Sequence, residues 1–166
     1  YCFFDGAMDQ QLLQRRRLEA DLRRAVEEAA LYLHYQPIAC LTRHQIIGFE
    51  ALVRWDHPAL GAVPPAEFIP LAEENGLIRE IGEFVLGRAC AEAASWERPL
   101  KIAVNMSPAQ IVQDDIADIV GSILARTGLA PERLELEVTE GTLVSNPEKA
   151  VAALSALQAS GIQIAM

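Results

Sequence analysis

The chain has 166 residues, 51% of them hydrophobic and 22% charged, and a formal net charge of −9. That is enough apolar material for one domain with a sizeable core, and too much for a disordered chain. The acidic balance excludes sequence-independent binding to a nucleic-acid polymer, which needs a basic face, but it leaves room for a small anionic ligand held through bound cations.

No apolar run approaches the roughly 18 residues of a membrane span. Asp5 and the polar stretch from Asp9 interrupt any signal-peptide core. Cys2, Cys40 and Cys90 are far apart and in no metal spacing, which reads as three reduced thiols of a cytosolic protein. Membrane anchors or sensor segments outside these residues are compatible with that reading. The chain opens on Tyr1 without an initiator methionine and stops at Met166 inside an apolar run, so a fragment of something longer is expected.

Residues 8–30 carry a helical pattern through Leu12, Leu13, Leu18, Leu22, Ala25, Val26 and Ala29. Arg15-Arg16-Arg17 within it reads either as a solvated face or as the face of a partner-facing linker helix. From Leu31 the pattern becomes strands alternating with helices. Leu31–Tyr35 is a strand ending at Gln36-Pro37, and a turn at His44–Gly48 leads into an apolar strand, Ile46–Val53. His57, in Asp56-His57-Pro58, reads as a turn residue. Pro64-Pro65 opens a helix to about Glu74, closed by Asn75-Gly76. A second helix covers about Ile78–Trp96. Lys101–Val104 is a short strand, and Ser107-Pro108 starts another helix. Ile116–Thr127 is helical with Gly128 as its cap, Leu134–Val138 is a strand, Asn146-Pro147 opens a helix to about Ser160, and Ile162–Ala165 is the last strand.

This alternation argues for a mainly parallel sheet covered by helices. An α/β barrel needs about 250 residues, of which Leu31–Met166 supplies about half. The competing open sheet of the dinucleotide-binding type lacks its glycine-rich phosphate turn here.

Polar residues stand where the strands end, the place where α/β barrels gather their active sites. Glu50 lies late in an apolar strand, where a buried acid needs a partner or a metal. Asn105 follows Lys101–Val104 and either caps the next helix, starts an Asx-turn or serves as a ligand. Glu135 and Glu137 alternate with leucines and share one side of their strand, which is either a solvated face or a ligand-bearing one. Arg54 is either a surface cation or a clamp for a phosphate oxygen. Converging carboxylates and an amide oxygen suit a hard cation such as Mg²⁺ or Mn²⁺. His34, His44 and His57 are scattered and no G-x-S-x-G occurs, so no nucleophilic triad is visible.

Five segments in order carry a resemblance: Tyr35-Gln36-Pro37-Ile38, Gly48-Phe49-Glu50-Ala51-Leu52-Val53-Arg54-Trp55, Phe68-Ile69-Pro70-Leu71-Ala72-Glu73, Val104-Asn105-Met106-Ser107, and Leu134-Glu135-Leu136-Glu137-Val138-Thr139-Glu140. Together they resemble the EAL-domain cyclic-di-GMP phosphodiesterases over residues 31–166. The resemblance implies a TIM-like (β/α)8 barrel whose first strand runs antiparallel to the rest, with only its front part present. It implies Mg²⁺ or Mn²⁺, two ions in the complete site, with Glu50, Asn105 and Glu137 as metal ligands. Gln36, Leu52 and Arg54 would contact cyclic di-GMP, and Glu140 would brace a loop that arranges the metals and a homodimer interface. The aspartate pair, lysine, catalytic glutamate and late glutamine of that family are expected beyond Met166, so no catalytic residue falls within the chain. Tyr1-Cys2-Phe3-Phe4, Met8 and Leu18–Ala25 resemble the end of a GGDEF domain and its connecting helix, which assigns residues 1–30 to that tail and linker.

The implied activity is hydrolysis of cyclic di-GMP to the linear dinucleotide by the full protein, in a bacterial signalling role. A catalytically silent EAL domain, acting as a nucleotide receptor or protein-interaction module, is the alternative. An unrelated phosphate-binding barrel is the third reading, and it would not require the Gln36, Arg54 and Asn105 set.

Overall fold

A computed structural model describes residues 6–113, 115–139, 141 and 146–166. The chain divides into two compact units, one of residues 1–32 and 54–77, the other of residues 33–53 and 78–166.

The first unit is built on helix α1 (Gly6–Glu27) and helix α2 (Pro65–Asn75). Strand β2 (Gln45–His57) ends in this unit, where it pairs antiparallel with β3 (Gly61–Val63) through Trp55↔Val63 and His57↔Gly61. Its core is made of Leu22, Trp55 and Phe68, each at most 2% exposed, with the two rings edge to face at 5.7 Å. Pro65 opens α2 without wasting an N–H, and Gly76 ends it at φ 80°, a left-handed position suited to glycine.

His57 is not a turn residue, as the sequence suggested, but the buried last residue of β2, whose side chain closes the turn that follows. Its Nδ1 accepts the backbone N–H groups of Ala59 and Leu60, both at 3.1 Å, which leaves Nε2 to carry the proton and donate to Asp21 Oδ2 at 3.0 Å.

The second unit holds most of the sheet. Strand β1 (Leu31–Cys40), β2, β4 (Lys101–Met106), β5 (Leu134–Val138) and β6 (Gln163–Ala165) lie in the order β1-β2-β4-β5-β6. β1 and β2 are antiparallel, and every later pair is parallel. Helices α3 (Ile78–Ala94), α4 (Pro108–Ile111), α5 (Ile116–Thr127) and α6 (Pro147–Ala159) connect the strands, with α3 packed on β4 and α6 on β6. Ile102, Val104 and Met106 of β4, and Leu134, Leu136 and Val138 of β5, form one buried face of the sheet. Arg133 ties this layer together from below, donating to the carbonyls of Ala93 and Leu100.

Three strands run past the limits read from the sequence, and β3 was not expected. β1 runs through Pro37 to Cys40 instead of ending there, because it stands at the end of the strand order, where a residue without an N–H is tolerated. β2 extends four residues past Val53 because β3 supplies a partner. β4 extends to Met106 because β5 pairs with it there. Among the described residues no helix is long and apolar enough to cross a membrane.

Candidate functional site

Alternation along the strands decides which side chains share a face. On β4 the face opposite Ile102, Val104 and Met106 carries Lys101, Ala103 and Asn105. On β5 it carries Glu135 and Glu137, and on β2, by the register Glu50↔Ala103, it carries Gly48, Glu50 and Leu52. Asn105 is directly opposite Glu137 in the ladder. Its Nδ2 donates to Glu50 Oε1 at 2.7 Å. Glu50, Asn105 and Glu137 are thus brought together on three adjacent strands.

One of the alternatives left open for Asn105 is excluded. It lies inside β4 and does not cap α4; that position belongs to Ser107, whose backbone N–H is accepted by Gln110 Oε1 at 2.9 Å.

Glu50 and Glu137 bring two acids to one face of the sheet. Burial, and then the carboxylates of Glu50 and Glu135, hold the Glu137 acid above the usual carboxylate range. Two carboxylates and an amide fit a hard divalent cation, which takes oxygen donors of this kind. Among the described residues no three His, Cys, Asp or Glu side chains cluster as a ligand set. What these strands offer is therefore two acids and an amide, with coordination positions left over.

The other expected site residues are spread further. Leu52 follows Glu50 on the same face of β2 and is half-buried. Gln36 is exposed on β1. Arg54 is half-buried on β2 and belongs to the first unit. Glu140 and the stretch Tyr1–Phe4 lie outside the described residues.

A second polar layer on the same face was missed by sequence reasoning. Lys101 Nζ lies 3.7 Å from Glu135 Oε2 and donates to Gln163 Oε1 on β6, whose Nε2 donates to the Glu132 carbonyl at 3.4 Å. Gly48 makes room for it: a Cβ there would sit 2.7 Å from the Lys101 carbonyl oxygen and 3.1 Å from Lys101 Cβ. The one available signal was a glycine inside an apolar strand, which marks a close backbone approach.

Comparisons with known proteins cover most of the chain. A family model described as EAL domain matches residues 19–166. An uncharacterized signaling protein of Caulobacter vibrioides is 49% identical over 166 residues, covering 100% of this chain and 20% of that protein. The bifunctional diguanylate cyclase/cyclic di-GMP phosphodiesterase MucR of Pseudomonas aeruginosa is 40% identical over 170 residues, covering 100% of this chain and 25% of that protein. The solved structure of the MucR phosphodiesterase in complex with c-di-GMP superposes with a TM-score of 0.84 at 41% identity, over 89% of this chain and 62% of that one. The chain spans a fifth to a quarter of the length of these two curated relatives. The architecture is that of the TIM-barrel EAL domains, covered in part.

Proposed function

The chain belongs to the EAL domain family, and we propose that it supplies the front strands and three metal ligands of a cyclic-di-GMP phosphodiesterase. The observation that carries this reading is the meeting of Glu50, Asn105 and Glu137 on three adjacent strands, with Asn105 bonded to Glu50 and paired in register with Glu137. The relation to MucR supports the choice of cyclic di-GMP as substrate.

In this reading the carboxylates of Glu50 and Glu137 and the Oδ1 of Asn105 hold Mg²⁺ or Mn²⁺, two ions in the complete site. The bound cations supply Lewis acidity toward the phosphoryl group and lower the pKa of the attacking water. Arg54 neutralises the phosphate that is not attacked, Gln36 and Leu52 seat the dinucleotide, and Glu140 braces the loop after β5. Residues 1–30 are the end of a GGDEF-like domain with its linker helix, and 31–166 the front of the EAL domain. The acids that finish the site, and the catalytic glutamate, lie beyond Met166. The full protein acts in the cytoplasm as a homodimer through this domain.

Turnover of cyclic di-GMP by the full protein in Mn²⁺ tests the reading. Glu50→Gln, Asn105→Ala and Glu137→Gln should each lower kcat/KM by about a hundredfold or more, the scale at which loss of a metal-orienting group acts. The isolated 166 residues should not turn over. Full activity in Glu50→Gln or Glu137→Gln would sink the ligand assignment. Tight nucleotide binding by the full protein without cleavage in either metal would identify the silent receptor instead.

A further inference from the structure

We infer that Lys101 is a positioning residue of the cation site, a resident counter-ion that keeps Glu135 out of the donor set and thereby sets how strongly Glu50, Asn105 and Glu137 bind a divalent cation. This rests on the donor set proposed above.

The problem Lys101 answers is one of chemistry on β5. Glu135 and Glu137 are the same residue type on the same face, two positions apart. Nothing in the strand itself distinguishes a ligand from a bystander. A divalent cation attracted to Glu137 is attracted to Glu135 as well, and a cation drawn down the strand would leave Asn105 and Glu50 behind. The difference between the two acids lies in their neighbours. Glu137 stands beside Asn105, a neutral amide that can offer an oxygen. Glu135 stands beside an ammonium, with Lys101 Nζ 3.7 Å from Oε2.

Gln163 and its own anchor fix that ammonium in place, and Gly48 lets the lysine backbone pack closely. Gly48 has no side chain to contest the space above the Lys101 backbone. Gln163, paired in register with Glu135, accepts from Nζ on the far side. Gln163 is itself anchored by its Nε2 on the Glu132 carbonyl. The lysine side chain thus reaches from β4 across β5 to β6, and the lower layer of the face is already neutralised before any ion arrives.

Because Lys101 and Glu135 carry opposite charges, their removal has opposite effects on a cation one layer above. Losing the ammonium leaves an extra negative charge and tightens cation binding. Losing the carboxylate leaves an extra positive charge and weakens it. A purely structural tie would behave differently, since breaking it from either end would loosen the site and weaken binding in both variants.

The experiment is Mn²⁺ binding to the full protein, by calorimetry and by the electron paramagnetic resonance of free Mn²⁺, in wild type, Lys101→Met, Lys101→Arg, Glu135→Gln and the Lys101→Met/Glu135→Gln double variant. Lys101→Met should bind Mn²⁺ about threefold to tenfold more tightly, as expected for one partly solvent-screened charge acting on a divalent ion. Glu135→Gln should bind it more weakly by a similar factor. Lys101→Arg should keep the wild-type affinity, and the double variant should return close to it. Affinity in Lys101→Met that is unchanged within twofold, or weaker, overturns the inference while leaving the donor set standing. Wild-type protein that shows no Mn²⁺ binding sensitive to Glu50→Gln overturns the donor set, and this inference with it.

Discussion

Asn105 Nδ2 donates to Glu50 Oε1 across 2.7 Å, from the strand that also pairs Asn105 with Glu137. The amide offsets part of the Glu50 charge through its N–H and keeps an oxygen available. A carboxylate at the same place could do only the second. Asn105→Asp should therefore destabilise the metal-free protein by about 1 kcal/mol, the scale of one net hydrogen bond. Mn²⁺ should raise the melting temperature of the variant more than that of the wild type, since its third acid gains most from a cation. Thermal unfolding in EDTA and in Mn²⁺ reads both effects, and a variant as stable as wild type in EDTA would remove the charge-balance argument.

Glu137 carries the opposite lesson. Its folded-state acid is raised, by burial first and then by Glu50 and Glu135. A raised carboxylate is one that the fold penalises when ionised. The metal-free protein therefore gains stability from this group as pH falls from neutral through the raised folded value, and the gain is complete once the unfolded carboxyl also protonates, near the ordinary carboxylate range. Glu137→Gln should be more stable than wild type at pH 7 in EDTA, with the advantage shrinking toward pH 4. An equal or lower melting temperature at pH 7 would contradict the sign.

Much of the site was legible because acids in apolar strands are conspicuous. Glu50 between Phe49 and Ala51, and Glu137 between Leu136 and Val138, break the run of hydrophobic residues, and a broken run asks for a partner. The limits of α5 and β5 were legible too, since Gly128 and the leucine–glutamate alternation mark them locally. What could not be read were relations set by pairing. Asn105 looked like a residue after a strand until Glu137 was found opposite it, and β2 looked shorter until β3 gave Trp55 and His57 partners. The Lys101 tie spans three strands distant in sequence, and no local pattern encodes it.

Gly48 offers a direct test of that packing. A methyl group there meets the Lys101 carbonyl oxygen at 2.7 Å, and a carbonyl in a ladder cannot step aside as a side-chain tip can. Gly48→Ala should destabilise the protein by about 1–3 kcal/mol, the usual cost of overpacking, in spite of alanine's lower backbone entropy. Chemical denaturation measures it. An increase in stability would mean that β2 and β4 can separate without loss.

The cysteines should separate by reactivity. Burial pushes the Cys90 thiol up to about 11. Cys40 is lowered, chiefly through its hydrogen bond with the Thr42 hydroxyl at 3.2 Å and then through the Arg43 backbone N–H. The thiolate is the reactive form, so at pH 8 Cys40 should be alkylated by iodoacetamide well before Cys90. Thr42→Val should slow Cys40 and leave Cys90 unchanged. Peptide mapping by mass spectrometry follows each site, and comparable rates at the two residues would contradict the assignment.

His57 tests the first unit. The imidazole does two jobs with its two nitrogens: Nδ1 takes the N–H groups of Ala59 and Leu60, and Nε2 donates to Asp21 on α1. The ring is 8% exposed and the Asp21 side chain 28%, so the histidine end of the contact is the more costly to leave unsatisfied. His57→Ala strands two turn N–H groups and takes one of two partners from Asp21, whose Oδ1 still accepts from Arg24, and should cost about 2–4 kcal/mol. Asp21→Ala removes only the carboxylate and should cost less, since Nδ1 keeps the turn closed. Asparagine at position 57 should fall between them, because its side-chain oxygen can accept a turn N–H but does not reproduce the reach of a ring to α1. Urea unfolding of the three variants ranks them. Equal losses in His57→Ala and Asp21→Ala would show that the turn bonds contribute nothing and that the histidine acts only as a tether for α1.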